Sequence, residues 1–385
     1  MQNKHLTHIE DVLILEGNSG IENIISYLKQ IISWFQGNRD NLNITVKYDG
    51  SPAIVFGIHP VTGEFFISTK SFFNKKKVLC AYTKEDIEKQ FTEAIHEPLW
   101  QVLNTFTTTL YPAGIWQADI LYTPDVLQET SDFFTFRHNT LEYKVKKNSQ
   151  IGREVKNCSI GLAVHTMYEH SDDTYSASFG KKFIDMGNII WQPPMEPFLS
   201  TPLNHHKVMN LVSLISKLEL KATRLFDFYD LLGNEFANPK KWQEEIMKAI
   251  NRRIANAQSV YDFTSLWNDI KMTMWSEYVS KRSFDATDSH NPCNKIETLE
   301  KNHLRDIEKW FQWYFDVMKM KVKIITLLQS MVYHPGLRIE LDGNPTQHEG
   351  FVVSSNTSTQ WVVKLVNRQE FSKANFNNNK HRLKK

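Results

Sequence analysis

The chain has 385 residues, 41% of them apolar and 23% charged, with a formal net charge of +2. That length and apolar share allow a sizeable core, either as two compact units or as one large unit with an insertion. The near-neutral balance excludes a globally basic nucleic-acid binder, so any such role has to come from local patches.

No apolar run reaches the eighteen residues of a membrane span, and Met1-Gln2-Asn3-Lys4-His5 lacks the apolar stretch of a signal peptide. Cys80, Cys158 and Cys293 show neither metal-ligand spacing nor a disulfide framework. A cytoplasmic protein with no membrane partner is expected.

In chain order, residues 21–36 carry Ile24, Ile25, Leu28, Ile31, Ile32 and Phe35 at helical spacing, closed by Gly37. From Ile44 to about Ser71 apolar and polar residues alternate between turn residues, which predicts a three-stranded antiparallel meander with Asp49-Gly50 at its first turn. Residues 84–110 return to helical spacing, through Ile87, Phe91, Ile95, Leu99, Val102, Leu103 and Phe106. Short β-branched and aromatic runs at 115–122, 140–145 and 159–167 predict strands.

Long helical patterns then dominate, at 208–232 and 296–331, with a loop at 283–293 between them. The segments 337–341, 349–355 and 360–366 read as strands, and the basic tail from Asn375 reads as disordered. The expected fold class is therefore α+β. The N-terminal part of a sheet-based core covers 1–203, a mainly helical insertion covers 204–333, strands completing the core cover 334–374, and the tail is 375–385. Strands at 337–366 without a sheet to join would leave open edges, which favours this arrangement over two independent domains.

Lys47-Tyr48-Asp49-Gly50 ends the first strand, Glu349-Gly350-Phe351-Val352 opens a late one, and Lys364 stands between Val362 and Val366 on one face of the next. A lysine so flanked is partly buried, and a buried ammonium needs an anion. The ordered set KYDG (47–50), WQADIL (116–121), EGFV (349–352) and VVKLV (362–366) resembles the covalent nucleotidyltransferase superfamily of ATP-dependent DNA and RNA ligases and capping enzymes. The RNA-ligase-like branch is nearest, and the chain is similar to uncharacterised proteins of large tailed phages, which would place it in the host cytoplasm. The resemblance covers 44–170 and 337–372 and leaves the helical block unmatched.

The resemblance implies an antiparallel-sheet, ATP-grasp-like ligase core and a covalent lysyl-AMP on Lys47. It assigns Asp49, Gly50, Lys70, Asp119, Glu349 and Lys364 to the nucleotide, with Asp119 and Glu349 as ligands of Mg²⁺ or Mn²⁺. The acceptor would be a nucleic-acid 5′-phosphate, RNA ahead of DNA. The alternatives are transfer to a protein or small molecule, and a degenerate nucleotide or nucleic-acid binder. The chemistry demands an unprotonated amine, whereas a free lysine titrates near about 10.4; bringing it to neutrality takes about 4–5 kcal/mol at about 1.36 kcal/mol per unit. Lys364, Lys70 and a divalent ion are the expected sources of positive charge.

Three departures stand out. Asp119 occupies a place where the family usually has glutamate. Ser51-Pro52-Ala53 follow KYDG in place of an arginine, and Val164-His165 replace an aromatic followed by Asp. No OB-fold of the kind found in related ligases is expected after Lys364. The helical block, with Lys217, Lys221, Arg224, Lys240, Lys241, Arg252 and Arg253, is then open to two roles, a cover over the nucleotide or a module that docks a partner.

Weaker patterns read as ordinary structure. His5, His8, Glu10 and Asp11 suit an exposed helix start better than a metal site. Lys75–Lys77 and the group Lys144, Lys146 and Lys147 suit either a nucleic-acid backbone or solvated loops. The aromatic stripe Trp310 to Phe315 suits a helix core.

Overall fold

The computed structural model describes residues 6–107, 114–171, 174–184, 189–196, 205–225, 227–228, 239–281, 292–356 and 361–372. They open with strand β1 (Thr7–His8), helices α1 (Asp11–Glu16) and α2 (Asn18–Phe35), and strands β2 (Leu42–Lys47), β3 (Ala53–Ile58) and β4 (Phe65–Ser68). Helices α3 (Lys84–Gln90) and α4 (His96–Thr107) follow, then strands β5 (Ile115–Tyr122), β6 (Gln128–Glu129), β7 (Phe133–Phe136) and β8 (Glu142–Lys146). Helix α5 (Gln150–Asn157) leads to strands β9 (Ile160–Ser171), β10 (Thr174–Phe179) and β11 (Ile190–Trp191). The helical stretch is α6 (His205–Ala222), α7 (Pro239–Ala255), α8 (Phe263–Lys281) and α9 (Pro292–Gln329). Strands β12 (Leu337–Leu341), β13 (Asn344–Pro345), β14 (Gly350–Ser355) and β15 (Val362–Val366) come last. The fold is mixed α and β with antiparallel sheets. The expected loop at 283–293 lies mostly outside the described residues, and the tail 375–385 entirely so.

The chain divides into two units. The first holds Asn43–Thr201 and Leu328–Trp361; the second holds Leu6–Leu42, Pro202–Leu327 and the segment from Val362. This differs at both ends from the expected boundaries, which put 1–203 and 334–374 in one core. Residues 6–42 join the helical block because the apolar stripe of α2 (Ile21, Ile24, Leu28, Ile31) is buried there, with α6 as its neighbour. β15 is grouped with them and pairs with β1 in parallel, with Thr7 opposite Val363 and His8 opposite Lys364.

In the first unit a sheet runs β10-β9-β5-β3-β4, antiparallel throughout, with β11 added in parallel to β9. One face carries the larger core, where Ile54, Phe56, Phe65 and Ile67 meet Leu99, Val102, Leu103 and Phe106 of α4. The opposite face carries a smaller cluster of Val55, Phe66, Phe72 and Ile115, and is free for polar groups beside it. A second sheet runs β13-β12-β8-β7-β6, with Leu337 to Glu340 pairing antiparallel to Glu142 to Val145.

Two expectations change. The pattern at 84–110 is two helices, because Phe91 and Thr92 are extended; α3 starts with a capping box in which the Thr83 hydroxyl accepts from Asp86 N and the Asp86 carboxylate from Thr83 N. The meander at 44–71 holds only for β3 and β4, since β2 leaves for a separate sheet beside β14. Asp49-Gly50 is thus a crossing between sheets, for reasons visible in its hydrogen bonds.

Candidate functional site

Asp49 is 4% exposed, and its carboxylate accepts from Thr140 N and Leu141 N at 2.8 Å each and from Asn139 Nδ2 at 2.6 Å. Its own N–H donates to the Tyr143 hydroxyl at 2.8 Å. A hairpin turn would leave these groups to water; here they lock the chain to the segment leading into β8. Gly50 then passes so close to β5 that a Cβ would sit 2.6 Å from the Ile120 carbonyl oxygen and 2.8 Å from the Asp119 Cβ. Only glycine permits that approach. Ser51 N donates to Ile120 O at 2.9 Å and completes the docking. Lys47, at the end of β2, is thereby set against Asp119 on β5.

Glu349, immediately before β14, accepts directly from the Lys47 ammonium. The lysine side chain is 23% exposed and that of Glu349 8%, so the pair is shielded while the amine stays approachable. Burial by itself would lower the Lys47 pKa, but Glu349, then Asp119 and Asp49, outweigh it and raise it above its ordinary value. The amine at rest is a charged ammonium.

Asp119 is pushed up to about 6 by burial, against the pull of Lys47 and Lys70. Lys70 opens a 3₁₀ turn (Lys70–Phe73) capped by the Thr69 hydroxyl, and is half-buried. Among the described residues it makes no ion pair, yet its charge is felt at Asp119 and at His165.

His165 is the residue that sequence reasoning passed over, noted only as a poor match to a family motif. Gln117 pairs with Thr166 and Ala118 with Val164, so His165 is the extra residue of a β-bulge on β9. Its Nε2 lies 4.0 Å from Asp119 Oδ2, and its Nδ1 is 2.7 Å from the Thr166 hydroxyl. Burial, then the charges of Lys47 and Lys70, push it down to about 3, so it is a neutral ring at physiological pH. Asn139 and Tyr143, which anchor Asp49, were also missed.

Of the residues expected at the site, the first unit brings together Lys47, Asp49, Gly50, Asp119 and Glu349, with Lys70 in electrostatic reach. Lys364 is half-buried on β15 of the second unit, opposite His8. Lys144 is engaged by Glu340 and Glu142, and Lys147 by Glu129, which makes them structural, whereas Lys75 to Lys77 are exposed. The stripe from Trp310 to Phe315 is core, with Trp310, Phe311, Trp313, Tyr314 and Phe315 each at most 1% exposed.

Glu10 and Asp11 overturn the reading of an exposed helix start, being 0% and 2% exposed. No described helix is long and apolar enough to cross a membrane.

What the site can do follows from its parts: a shielded but reachable amine, two carboxylates facing it, and a second cation with no ion pair among the described residues. No curated protein and no solved structure matches the chain. A family model matches residues 3–380, nearly the whole length, and the chain belongs to that family, DUF6267, a family of unknown function.

Proposed function

We propose that Lys47 is the nucleophile of an ATP-dependent nucleotidyl transfer, and that the nucleotide passes from it to a nucleic-acid 5′-phosphate as in strand sealing. The observation that carries this is the Lys47 ammonium, held by Glu349 and faced by Asp119 on a turn that Asp49 and Gly50 fix in place. In the first step the Lys47 Nζ–Pα bond forms, the bond from Pα to the bridging oxygen breaks, and pyrophosphate leaves. The proton lost from the ammonium has the Glu349 carboxylate, its direct partner, as first acceptor. Lys70 is the cation available to an α-phosphate oxygen as charge builds there.

The donor set fits Mg²⁺ or Mn²⁺. Asp119 and Glu349 are hard oxygen ligands, and no group of three His, Cys, Asp or Glu side chains among the described residues forms an all-protein metal site. An ion held by these two carboxylates would draw its other ligands from water and phosphate, offset phosphate charge, and loosen the carboxylates' hold on the ammonium. Lys364, which the family resemblance assigns to the α-phosphate, belongs to this proposal on that resemblance alone.

Intact-mass analysis of the full chain after incubation with ATP and Mg²⁺ or Mn²⁺ tests the reading. A covalent AMP that maps to Lys47 and is lost in Lys47→Met supports it. A chase with nicked RNA or DNA duplex, each against a protein acceptor, identifies where the nucleotide goes. No adduct with any of the four NTPs, or with NAD, under either metal would overturn it in favour of a non-catalytic binder.

A further inference from the structure

Helices α6 and α9, both in the second unit, enclose a cavity of about 460 Å³. Its floor is aliphatic. Leu218 and Met320 are buried, Leu214 is half-buried, and Leu220 is 60% exposed. Among the described residues no aromatic side chain lines it.

Its rim is cationic. Lys217, Lys221 and Arg224 follow one another along α6 and the turn after it, and Lys319 and Lys323 lie one turn apart on α9, all five of them exposed. Asp316 is the single carboxylate among the described lining residues, 2.6 Å from Lys221 and 3.8 Å from Lys319.

Five cations around one small cavity repel each other, and the chain as a whole carries only +2. Such a concentration favours an anionic occupant. The floor narrows the choice, because a bare phosphate gains nothing from leucine and methionine. A single-stranded nucleic acid gains its base contacts from aromatic faces, and the described lining residues offer none. The occupant that satisfies both surfaces presents apolar side chains along one stripe and carboxylates on either side of it.

Cations one helical turn apart, about 5.4 Å, match acids at the i and i+4 positions of a helix lying in the groove. We infer that this groove docks an acidic amphipathic helix of a partner protein. This reading stands apart from nucleotide transfer at Lys47 and does not need it to be right.

The test uses the full chain as bait for a displayed library of helical peptides about four turns long. Enrichment of Leu, Ile or Met at i, i+3 or i+4 and i+7, flanked by Asp and Glu, is expected. A labelled peptide from that pool should bind at least tenfold more weakly to Lys217→Glu/Lys323→Glu, and several-fold more weakly to Leu220→Gln. Its affinity should fall with salt. All three substituted side chains are exposed, and circular dichroism confirms that the variants fold. Lys217→Arg should retain binding.

Absence of that enrichment, or enriched peptides that bind the charge-reversed variant equally well, would overturn the inference. So would a single-stranded oligonucleotide that binds more tightly than the best peptide and ignores Leu220→Gln. Adduct formation at Lys47 is scored separately, so failure of one reading leaves the other intact.

Discussion

The two units each place acids and bases inside, and they do so to different ends. In the second unit Glu10, Asp11, Lys321 and Arg368 are at most 4% exposed and matched one for one in charge. Lys321 donates to Glu10 at 2.5 Å, and Arg368 donates to Asp11 at 2.8 Å and to Asn251 Oδ1 at 2.6 Å. The Tyr314 hydroxyl adds a bond to Asp11 at 2.8 Å. In the first unit the Lys47 cluster is open and badly matched. Among the described residues the Asp119 carboxylate has no Lys or Arg within ion-pair distance, only the neutral His165 ring at 4.0 Å, and Lys70 has no ion-pair partner. Burial of charge alone therefore does not mark a site. A closed, paired network ties the N-terminal segment, α9 and the chain after β15 into one unit, whereas a cluster left with unspent charge is a candidate for a ligand site.

The largest effect expected from this contrast is on stability, in the closed network. Arg368→Met leaves the Asp11 carboxylate buried with Tyr314 as its one remaining hydrogen-bond partner among the described residues, and should cost about 3–5 kcal/mol in urea unfolding. If Arg368→Met costs less than Lys47→Met, the assignment of the two clusters is reversed.

Next comes Asp49→Ala. It strands Thr140 N, Leu141 N and the Asn139 amide, and at about 1–3 kcal/mol for unsatisfied buried groups should destabilise by about 2–4 kcal/mol. Thermal melts of Asp49→Ala and Asp49→Asn give the size. Asn keeps one acceptor and should lose less.

Asp119→Asn should go the other way. The folded carboxyl titrates at about 6, above its ordinary 3.8, so ionising it is harder in the folded chain than in the unfolded one. Its contribution to stability is therefore fully present below about pH 4, declines as pH rises to about 6, and stays low beyond. The asparagine variant should be more stable than the parent at pH 7 by about 1–2 kcal/mol, with the advantage fading at pH 4. It should also fail to form the Lys47 adduct. A variant destabilised at pH 7 would mean that Asp119 is a structural partner of Lys47 and not a group held at a cost for function.

Much of the frame of this site was legible in the residues. The strand expected at 115–122 is β5 to the residue, and EGFV and KYDG read as the ends of strands that meet. What was not legible depends on partners distant in sequence. The alternation from Ile44 to Ser71 is the same whether β2 pairs with β3 or with β14, and the choice is made by hydrogen bonds from residues 139–143 to Asp49. The His165 bulge is a register shift between two strands, which neither strand records alone. Glu10 and Asp11 look like the acids of an exposed helix start until Lys321 and Arg368, more than 300 residues away, are brought against them. Lys364 lies on β15, whose pairing with β1 could not be foreseen either, because a two-residue strand leaves almost no mark on the sequence.

The smallest stability effect, and the sharpest test of unspent charge, belongs to Lys70. With no ion pair to lose among the described residues, Lys70→Met should change unfolding free energy by less than about 0.5 kcal/mol, the usual range for a substitution that removes no buried contact. Its loss should still be visible in two places. The carboxyl of Asp119, no longer held down by that cation, should titrate higher than in the parent, which NMR of the carboxyl carbon can follow. The ATP concentration for half-maximal adduct formation should rise about tenfold, the equivalent of about 1.4 kcal/mol of lost phosphate contact. Lys70→Arg should restore most of it, since the charge returns at the same turn. Suppose instead that Lys70→Met destabilises the fold by as much as Asp49→Ala and leaves the ATP dependence unchanged. Lys70 would then be a structural cation like Lys321, and the open cluster would lose the feature that sets it apart from the closed one.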